Sequence, residues 1–339
     1  MLNIEKKIFP KPQTLSSIQE FCTHRPEKVL FFDIETTGLS RERCHIYLIG
    51  CLFVKDDAMY LRQWMAEGAW EEEKILKGFL EFSKSFSLLI HYNGKKFDIP
   101  FTEHRLLKHG LFPAFSDMEA LDIYQKLCPC KGLLGLSHMR QPDIEQFLFD
   151  NKKRMHCDGG ACISLYKKYC HHPTREISMT LLGHNEEDLR GLAELTPALS
   201  YPALLNGEFK TEQVQREQEQ VCCFCSLKHA LPRPVSFVCE DSSLTAKDVH
   251  MKIELRLHNG QLRQRYPDYK QYFYLPSEDT AVHRALISCV DASLRIPASR
   301  ETCYTWFPCN EDFVKSPKKA EEYLRKNLPL WLTIFRSLS

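Results

Sequence analysis

The stretch FFDIETTGLS, residues 31–40, places two carboxylates inside an apolar run that begins near Val29. In a strand, side chains two positions apart point to the same face, so Asp33 and Glu35 would face the same spot. Two acids on one face of a buried strand repel each other and resist desolvation unless a cation or a proton intervenes. The alternative is a strand that ends early and leaves both acids in water. The rest of the chain decides between these readings.

The composition is that of an ordinary globular protein. The chain has 339 residues, of which 43% are hydrophobic and 26% are charged, and this length favours two domains. No apolar run approaches the ~20 residues that a bilayer-spanning helix needs. The N-terminal sequence MLNIEKKIFPKPQ has no long apolar region of the kind that a signal peptide contains. We therefore expect no membrane span and a cytoplasmic location.

Charge and cysteine content argue against two classes of protein, those that bind nucleic acid through a high net positive charge and those held together by disulfides. The formal net charge is +1, so a bound polyanion must be held by a local basic patch or by metal. Fifteen cysteines are an odd number in a long chain, which argues against a disulfide framework. Cys222 and Cys225 form a Cys-x-x-Cys pair that could be half of a zinc site, but no second pair follows at a regular spacing. Whether this pair binds zinc stays open.

The pattern up to residue 205 predicts an α/β domain preceded by a polar lead-in, residues 1–27, with one short helix. Three strands joined by short connections imply an antiparallel meander, and a further strand enters an Asn-Gly turn. The predicted strands are 29–35, 46–54, 59–64, 88–91 and a further one near 121–124. The predicted helices are 15–22, 70–86, one that starts at or after Asp98, and 176–193.

Two further acids follow in suitable positions. Asp98 comes after the turn Asn93-Gly94, at a junction between a strand and a helix. Asp188 lies four residues after His184 in a helical pattern, so the two are neighbours on one helix face. Taken alone, His184 would be a capping or surface histidine. Because His184 lies beside the last of four carboxylates, Asp33, Glu35, Asp98 and Asp188, a functional role becomes the better interpretation.

Three motifs resemble the DEDD superfamily of metal-dependent 3′-to-5′ exonucleases, whose fold is ribonuclease H-like. They are FFDIETTGL, HYNGKKFDIPF and HNEEDL, and the resemblance covers roughly Lys28 to Leu199. The second motif is most similar to the YprB-type branch, as are LDIYQKL around Asp122 and the segment RMHCDGGACISLYKKY. The third motif departs from the better-studied patterns, which place a Tyr with three intervening residues or a His with four before the last Asp. That departure leaves the role of His184 open.

The resemblance implies an α/β fold over residues 28–205, with a ribonuclease H-like mixed sheet flanked by helices. It also implies two Mg²⁺ or Mn²⁺ ions, which prefer oxygen ligands and can activate water and stabilise the reacting oxygens of a phosphodiester. Asp33 would bridge both ions, Glu35 and Asp188 would share one, and Asp98 would reach an ion through water. A neutral His184 could take the proton of the attacking water. The resemblance also implies that Thr36, Gly38, Leu39 and Asn93 contact the terminal nucleotide of a single-stranded 3′ end. Lys96, Lys153 and Arg154 are weaker candidates for phosphate contacts, since exposed basic side chains are usually only solvated.

Residues 206–339 are predicted to form a small α+β domain of unknown role. Strands are expected at 234–239, 249–257, 261–266 and 269–275, with the hairpin signal His258-Asn259-Gly260 between the second and third. Helices are expected at 280–291 and at 318–338, the latter broken near Pro329. The polar, glutamine-rich segment after Leu205 is taken as the domain boundary. The aromatic side chains could stack bases, although core packing is the commoner use. They are Tyr266, Tyr269, Tyr272, Phe273 and Tyr274.

The leading hypothesis is therefore a 3′-to-5′ exonuclease that uses two metal ions. The alternatives are a structure-specific endonuclease on the same fold and a nucleic-acid-binding module without activity. All four acids are present, and an unused site has no reason to tolerate their mutual repulsion.

Overall fold

The structure is a computed structural model that describes residues 1–112, 115–150 and 159–334. The chain forms two compact units, one of residues 1–126 with 139–199 and the other of residues 127–138 with the residues from 200 onward. The predicted division of the chain at residues 27 and 205 stays a prediction. Among the described residues, no helix combines the length and apolar character needed to cross a membrane. The expected cytoplasmic location likewise stays a prediction.

The strands and helices are numbered in chain order. The strands are β1 Leu2–Ile8, β2 Val29–Thr36, β3 Ile46–Lys55, β4 Ala58–Met65, β5 Leu88–His91, β6 Glu119–Asp122, β7 Phe209–Glu217, β8 Gln220–Cys239, β9 Ser242–Arg256, β10 Gln261–Arg265, β11 Tyr272–Leu275, β12 Thr280–His283, β13 Ile296–Pro297 and β14 Tyr304–Pro308. The helices are α1 Gln13–Phe21, α2 Glu72–Ser83, α3 Asp98–Lys108, α4 Ile123–Leu127, α5 Lys131–Leu134, α6 Gln141–Phe149, α7 Gly159–His171, α8 Arg175–Glu194, α9 Ser200–Leu205, α10 Glu311–Val314 and α11 Pro317–Ile334.

The first unit is built on one six-stranded mixed sheet with the order β1-β4-β3-β2-β5-β6. Strands β1 to β4 pair antiparallel, whereas β5 pairs parallel to β2 and to β6. The sequence does not predict β1, because Lys6 interrupts the alternation of Leu2, Ile4 and Ile8. An edge strand tolerates such charges because one of its sides faces solvent, and the pairing with β4 supplies the backbone hydrogen bonds.

Helices cover both faces of this sheet, so the predicted mixed sheet flanked by helices is confirmed. On one face, Phe32 and Ile34 of β2 join a core cluster with Ile75 and Phe79 of α2 and Phe101 of α3. On the other face, α7 and α8 pack against residues of β3 and β4. The side chains of β2 alternate, so Asp33 and Glu35 point away from α2 and α3 and face α8. This is the shared face that their spacing predicts.

A buried ion pair ties α2 to α3 and to the start of β3. The carboxylate of Glu72 accepts hydrogen bonds from Arg105 Nε at 2.8 Å, Ile46 N at 2.8 Å and His109 Nε2 at 2.9 Å. Burial raises the pKa of Glu72, but these hydrogen bonds outweigh burial and hold the pKa below its ordinary value. Arg105 also donates to the carbonyl of Arg41 at 3.3 Å. The ion pair therefore anchors the loop that follows β2.

The second unit contains three small sheets. Strands β7, β8 and β9 form a meander, β10 pairs with β14, and β11 lies between β12 and β13. The polar segment after Leu205, which the sequence predicts to be a domain boundary, contains β7, and β7 pairs with β8 over most of its length. Cys222 and Cys225 lie three positions apart on β8 and therefore point to opposite faces of the sheet.

Three sequence predictions are wrong in this unit. Asn259 and Gly260 make a tight turn with positive φ, but β10 pairs with β14 rather than with β9. The region expected to be helical, 280–291, contains β12 and a 3-10 helix, because the β-branched Thr280 and Val282 complete a sheet. Helix α11 continues through Pro329. Buried Leu328 and Trp331 hold it on either side, and this packing compensates for the missing N–H.

We expect Arg105→Leu to lower the free energy of unfolding by about 3–5 kcal/mol, because it leaves the buried Glu72 carboxylate without its cation. The control is Arg140→Leu, since Arg140 is mostly exposed where it pairs with Asp143. That change should cost less than about 1 kcal/mol. Urea unfolding followed by circular dichroism measures both values. Equal losses in the two variants would contradict the role of the buried pair.

Candidate metal centre

The central strand β2 carries the first two carboxylates to the end of the sheet. Asp33 Oδ2 accepts a hydrogen bond of 2.8 Å from Asn185 Nδ2 on α8. Glu35 Oε2 lies 3.5 Å from the hydroxyl of Tyr47, and Glu35 is only 8% exposed. Both carboxylates are thus held by neighbouring side chains inside the sheet-helix layer and not by solvent.

The third carboxylate, Asp98, is the first residue of α3 and lies against β2. Its carboxylate accepts hydrogen bonds from the backbone N–H of Ile34 and from its own N–H. Two side chains hold the turn that precedes Asp98. Asp122 Oδ1 accepts a hydrogen bond from Asn93 N at 2.9 Å, and His91 Nδ1 accepts one from Gly94 N at 3.0 Å. Asn93 has φ 60°, a left-handed conformation that Asn tolerates better than most residues. The buried His91 and Asp122 therefore position the turn that delivers Asp98.

The fourth carboxylate shares a face of α8 with His184. His184 Nε2 lies 3.3 Å from Glu35 Oε1 and 3.2 Å from Asp188 Oδ2. One ligand atom from each of Glu35, His184 and Asp188 lies within 4.8 Å of the others, which makes these three a candidate metal-binding group. His184 Nδ1 is buried and has no hydrogen-bond partner among the described residues.

Burial and mutual repulsion oppose ionisation of these carboxylates. Burial, followed by the charges of Asp188, Asp98 and Glu35, raises the pKa of Asp33 well above its ordinary value. Burial and the charges of Asp188 and Asp98 raise the pKa of Glu35 to about 8. Burial is also the main reason that the pKa of Asp98 is raised to about 7. Clustered carboxylates that resist ionisation for want of a cation, with oxygen donors predominating, fit a hard divalent ion such as Mg²⁺ or Mn²⁺.

A chain of buried amides that the sequence analysis did not single out holds this arrangement. Gln63 Nε2 donates to Leu182 O at 2.9 Å and to Asn185 Oδ1 at 2.8 Å, and Asn185 in turn donates to Asp33. A Cβ on Gly50 would lie 1.9 Å from Asn185 Oδ1, so α8 can approach β3 only because that residue is glycine. The motif HNEEDL contained Asn185, but Gln63 and Gly50 carry no local sequence signal.

The residues predicted to bind substrate follow the two acid-bearing segments. Thr36 ends β2 and donates from Oγ1 to Gly38 O at 2.9 Å, and the next side chain, Leu39, is 84% exposed. Asn93 is half-buried in the turn before Asp98, and Lys96 is exposed. Lys153 and Arg154 lie outside the described residues.

Comparison with known proteins gives one family match. A model of the RNase_H superfamily matches residues 30–200. No curated protein matches the sequence. Among solved structures, the chain is similar to the family B DNA polymerase of Pyrobaculum calidifontis, with 15% identity and a TM-score of 0.43 over 57% of this chain and 31% of the polymerase. The chain thus spans about a third of the length of that protein.

A second solved structure covers more of the chain. Escherichia coli Exonuclease I in complex with a 5cy-dA13 oligonucleotide has 11% identity and a TM-score of 0.30, over 91% of this chain and 73% of that one. The TM-scores of both structures are low, so neither likeness adds to the assignment of the fold.

We expect Asp33→Asn to stabilise the metal-free protein more at about pH 8 than at about pH 4, because burial and the charges of Asp188, Asp98 and Glu35 raise the pKa of Asp33. An acid whose pKa is raised by folding stabilises the fold below its unfolded pKa and loses that contribution as pH rises through its folded pKa. At about pH 4 the carboxyl can be neutral, like Asn, in both the folded and the unfolded chain, whereas at about pH 8 the unfolded chain ionises a group whose ionisation the folded protein opposes. Asn keeps an oxygen that can accept from Asn185.

Thermal unfolding in EDTA at the two pH values measures this difference. Asp57→Asn is the matched control, because Asp57 is exposed in the turn between β3 and β4. A pH dependence that is the same in wild type and Asp33→Asn would mean that the carboxylates are not coupled as described.

Proposed function

The chain belongs to the RNase H superfamily, and on that basis we propose that it is a metal-dependent nuclease that removes nucleotides from the 3′ end of single-stranded nucleic acid. The observation that carries the proposal is the group of carboxylates at the end of β2, whose pKa values are raised by burial and mutual repulsion. A module that only bound nucleic acid would gain nothing from this repulsion. Membership of the DEDD group and of its YprB-type branch is part of the proposal and rests on the three motifs.

Asp33, Glu35, Asp98 and Asp188 would hold the metal ions, which we propose are two Mg²⁺ or Mn²⁺. Such ions, when bound, would supply a nucleophile from water and stabilise the attacking and leaving oxygens of the phosphodiester. Glu35 and Asp188 are both within 3.3 Å of His184 Nε2, so their oxygens converge on one point and are suited to share an ion. Asp33, hydrogen-bonded by Asn185, keeps its second oxygen for the same purpose.

The neighbours of His184 determine when it can act as the general base that accepts a proton from the attacking water. His184 Nε2 lies close to one oxygen of Glu35 and one of Asp188, and Nδ1 has no hydrogen-bond partner among the described residues. His184 can accept the proton of an attacking water at Nε2 only when Glu35 and Asp188 are engaged elsewhere, as they would be as metal ligands. We therefore propose that His184 holds the two carboxylates together in the free protein and acts as general base in the loaded site.

The 3′ end would be gripped by the segments that flank the acids. The backbone of Thr36 to Leu39 continues β2 toward the substrate, and the exposed Leu39 offers an apolar surface to a terminal base. Asn93 Oδ1 is buried without a hydrogen-bond partner among the described residues, so it can accept one from a nucleotide. Lys96, Lys153 and Arg154 are proposed to contact phosphates.

Asp33→Asn should abolish degradation of a 5′-labelled single strand in the presence of Mn²⁺, because a neutral amide cannot supply the shared charge that the metal ions require. The digestion should compare DNA and RNA, single and double stranded, with Asp57→Asn as the control that stays active. Wild-type protein that folds, gains thermal stability from Mn²⁺ and still leaves every substrate intact would refute the nuclease.

Circular single-stranded DNA separates exonuclease from endonuclease action, because a circle has no 3′ end. We expect the circle to survive conditions that degrade the linear form. Cutting of the circle at a comparable rate would assign a structure-specific endonuclease to the same site.

His184→Ala should lower the turnover rate by about 10²–10⁴, the range typical for loss of a general base. The affinity for Mn²⁺, measured by calorimetry, should change little. The rate should also lose the part of its pH dependence that reports deprotonation of the histidine. A large loss of Mn²⁺ affinity, with the pH profile retained, would instead make His184 a metal ligand.

A further inference from the structure

Three arginines of the second unit stack on aromatic rings of the segment that contains β11. The guanidinium carbon of Arg284 lies 5.0 Å from the centre of the Phe273 ring, and that of Arg295 lies 5.1 Å from the same ring. Arg300 lies over Tyr269 at 5.8 Å. All three distances are within the range of cation–π interaction. The rings thus orient guanidinium groups that would otherwise move freely.

Phe273 differs from the tyrosines around it. Tyr272 and Tyr274, its neighbours on β11, join Tyr266 and Tyr269 in a cluster around buried Ala281, Ala298 and Cys303. Phe273 has the opposite orientation on the strand and lies opposite Val282 and Pro297 on the outer face of this small sheet. The tyrosines therefore pack in the core of this sheet, whereas Phe273 contacts Arg284 and Arg295.

The charge of this segment is unbalanced. Residues 280–300 contain three arginines and one acid, Asp291, which gives 3 − 1 = +2, compared with +1 for the whole chain. The Asp291 carboxylate already accepts hydrogen bonds from Ser293 N and Oγ, each at 2.8 Å. Among the described residues, neither Arg284 nor Arg295 forms an ion pair, although the charge of Arg295 contributes to the lowered pKa of Asp291. Arg295 donates to the carbonyl of Ile287 at 3.0 Å. An arginine whose donors are not bonded to a carboxylate keeps them for an anionic ligand.

We propose that Arg284, Arg295 and Phe273 form a second binding site for single-stranded nucleic acid, separate from the metal centre. The edges of the guanidinium groups would bind phosphates, and an unpaired base would stack on a guanidinium plane that the ring of Phe273 holds in place. Stacking on flat cations together with phosphate contacts is how single strands are bound without regard to sequence. An acidic protein would match the charge but would make no use of the planar stacking. The proposal rests on the proposed nuclease function for its choice of ligand.

The test is binding of a labelled oligothymidylate, followed by fluorescence anisotropy in EDTA, so that the metal centre neither cuts nor holds the strand. Arg284→Glu with Arg295→Glu should weaken binding by at least about tenfold and reduce the slope of log affinity against log salt by about 1.4, which is two phosphate contacts at about 0.7 each. The control, Arg256→Glu, changes an exposed arginine of β9 and should stay within twofold of wild type.

A second variant keeps the charge and removes the flat surface. Arg284→Lys with Arg295→Lys should keep the salt slope and lose several-fold in affinity, because lysine cannot stack as a plane. This variant also tests the site if the glutamate variant unfolds, which thermal melting would show.

The proposal is overturned if the variants bind within twofold of wild type, or if polyglutamate competes as well as an oligonucleotide of equal charge. Cleavage of a labelled trinucleotide with Mn²⁺ is measured alongside. Cleavage by wild type with unchanged binding in the variants refutes the second site alone, whereas lost binding without any cleavage refutes the nuclease alone.

Discussion

The candidate site of the first unit is dominated by the mutual repulsion of carboxylates that the fold holds close together. Asp33 and Glu35 stand on a strand with neighbours on both edges and helices on both faces, and Asp98 is held against the same strand by a hydrogen bond to its backbone. Glu35 is buried, and Asp33 and Asp98 are only partly exposed. The repulsion between these carboxylates contributes to their raised pKa values. A divalent cation would offset this repulsion while the carboxylates stay ionised, whereas a proton would neutralise them.

Helix α8 has to approach the sheet closely for the arrangement to hold. It supplies Asn185 to Asp33, His184 to Glu35 and the fourth acid one turn later. The absence of a side chain at Gly50 allows this approach, and Gln63 fixes the orientation of the Asn185 amide. The positioning residues thus come from β3, β4 and α8, while most of the charges come from β2 and α3. The site is therefore a property of the whole layer and not of one motif.

The sequence predicts those features that are set by local chemistry. Strand β5 has the predicted bounds, because an apolar run and an Asn-Gly turn define it, and α8 lies within one residue of the prediction at each end. The sequence does not predict the edge strands β1 and β7, because charged and polar side chains interrupt the alternation in both, and pairing with β4 and β8 makes them strands. The region 280–291 was assigned to the wrong class for the same reason. The acids could be named from their motifs, whereas Gln63 and Gly50 could not, because their role depends on a helix more than a hundred residues away.

Under the proposed function, a nearly neutral chain has to concentrate positive charge where it meets a polyanion, and the two units would do so by different means. In the first unit, the attraction for phosphate would come from cations that the carboxylates hold. In the second unit the cations belong to the chain: the guanidinium groups of Arg284 and Arg295 lie against the ring of Phe273, and neither forms an ion pair with a described acid. A metal-dependent attraction acts only where catalysis occurs, whereas a guanidinium surface acts at any metal concentration. Under the proposed function, the first kind of attraction would act on the phosphodiester to be cut, and the second would act on the single strand whether or not metal is bound.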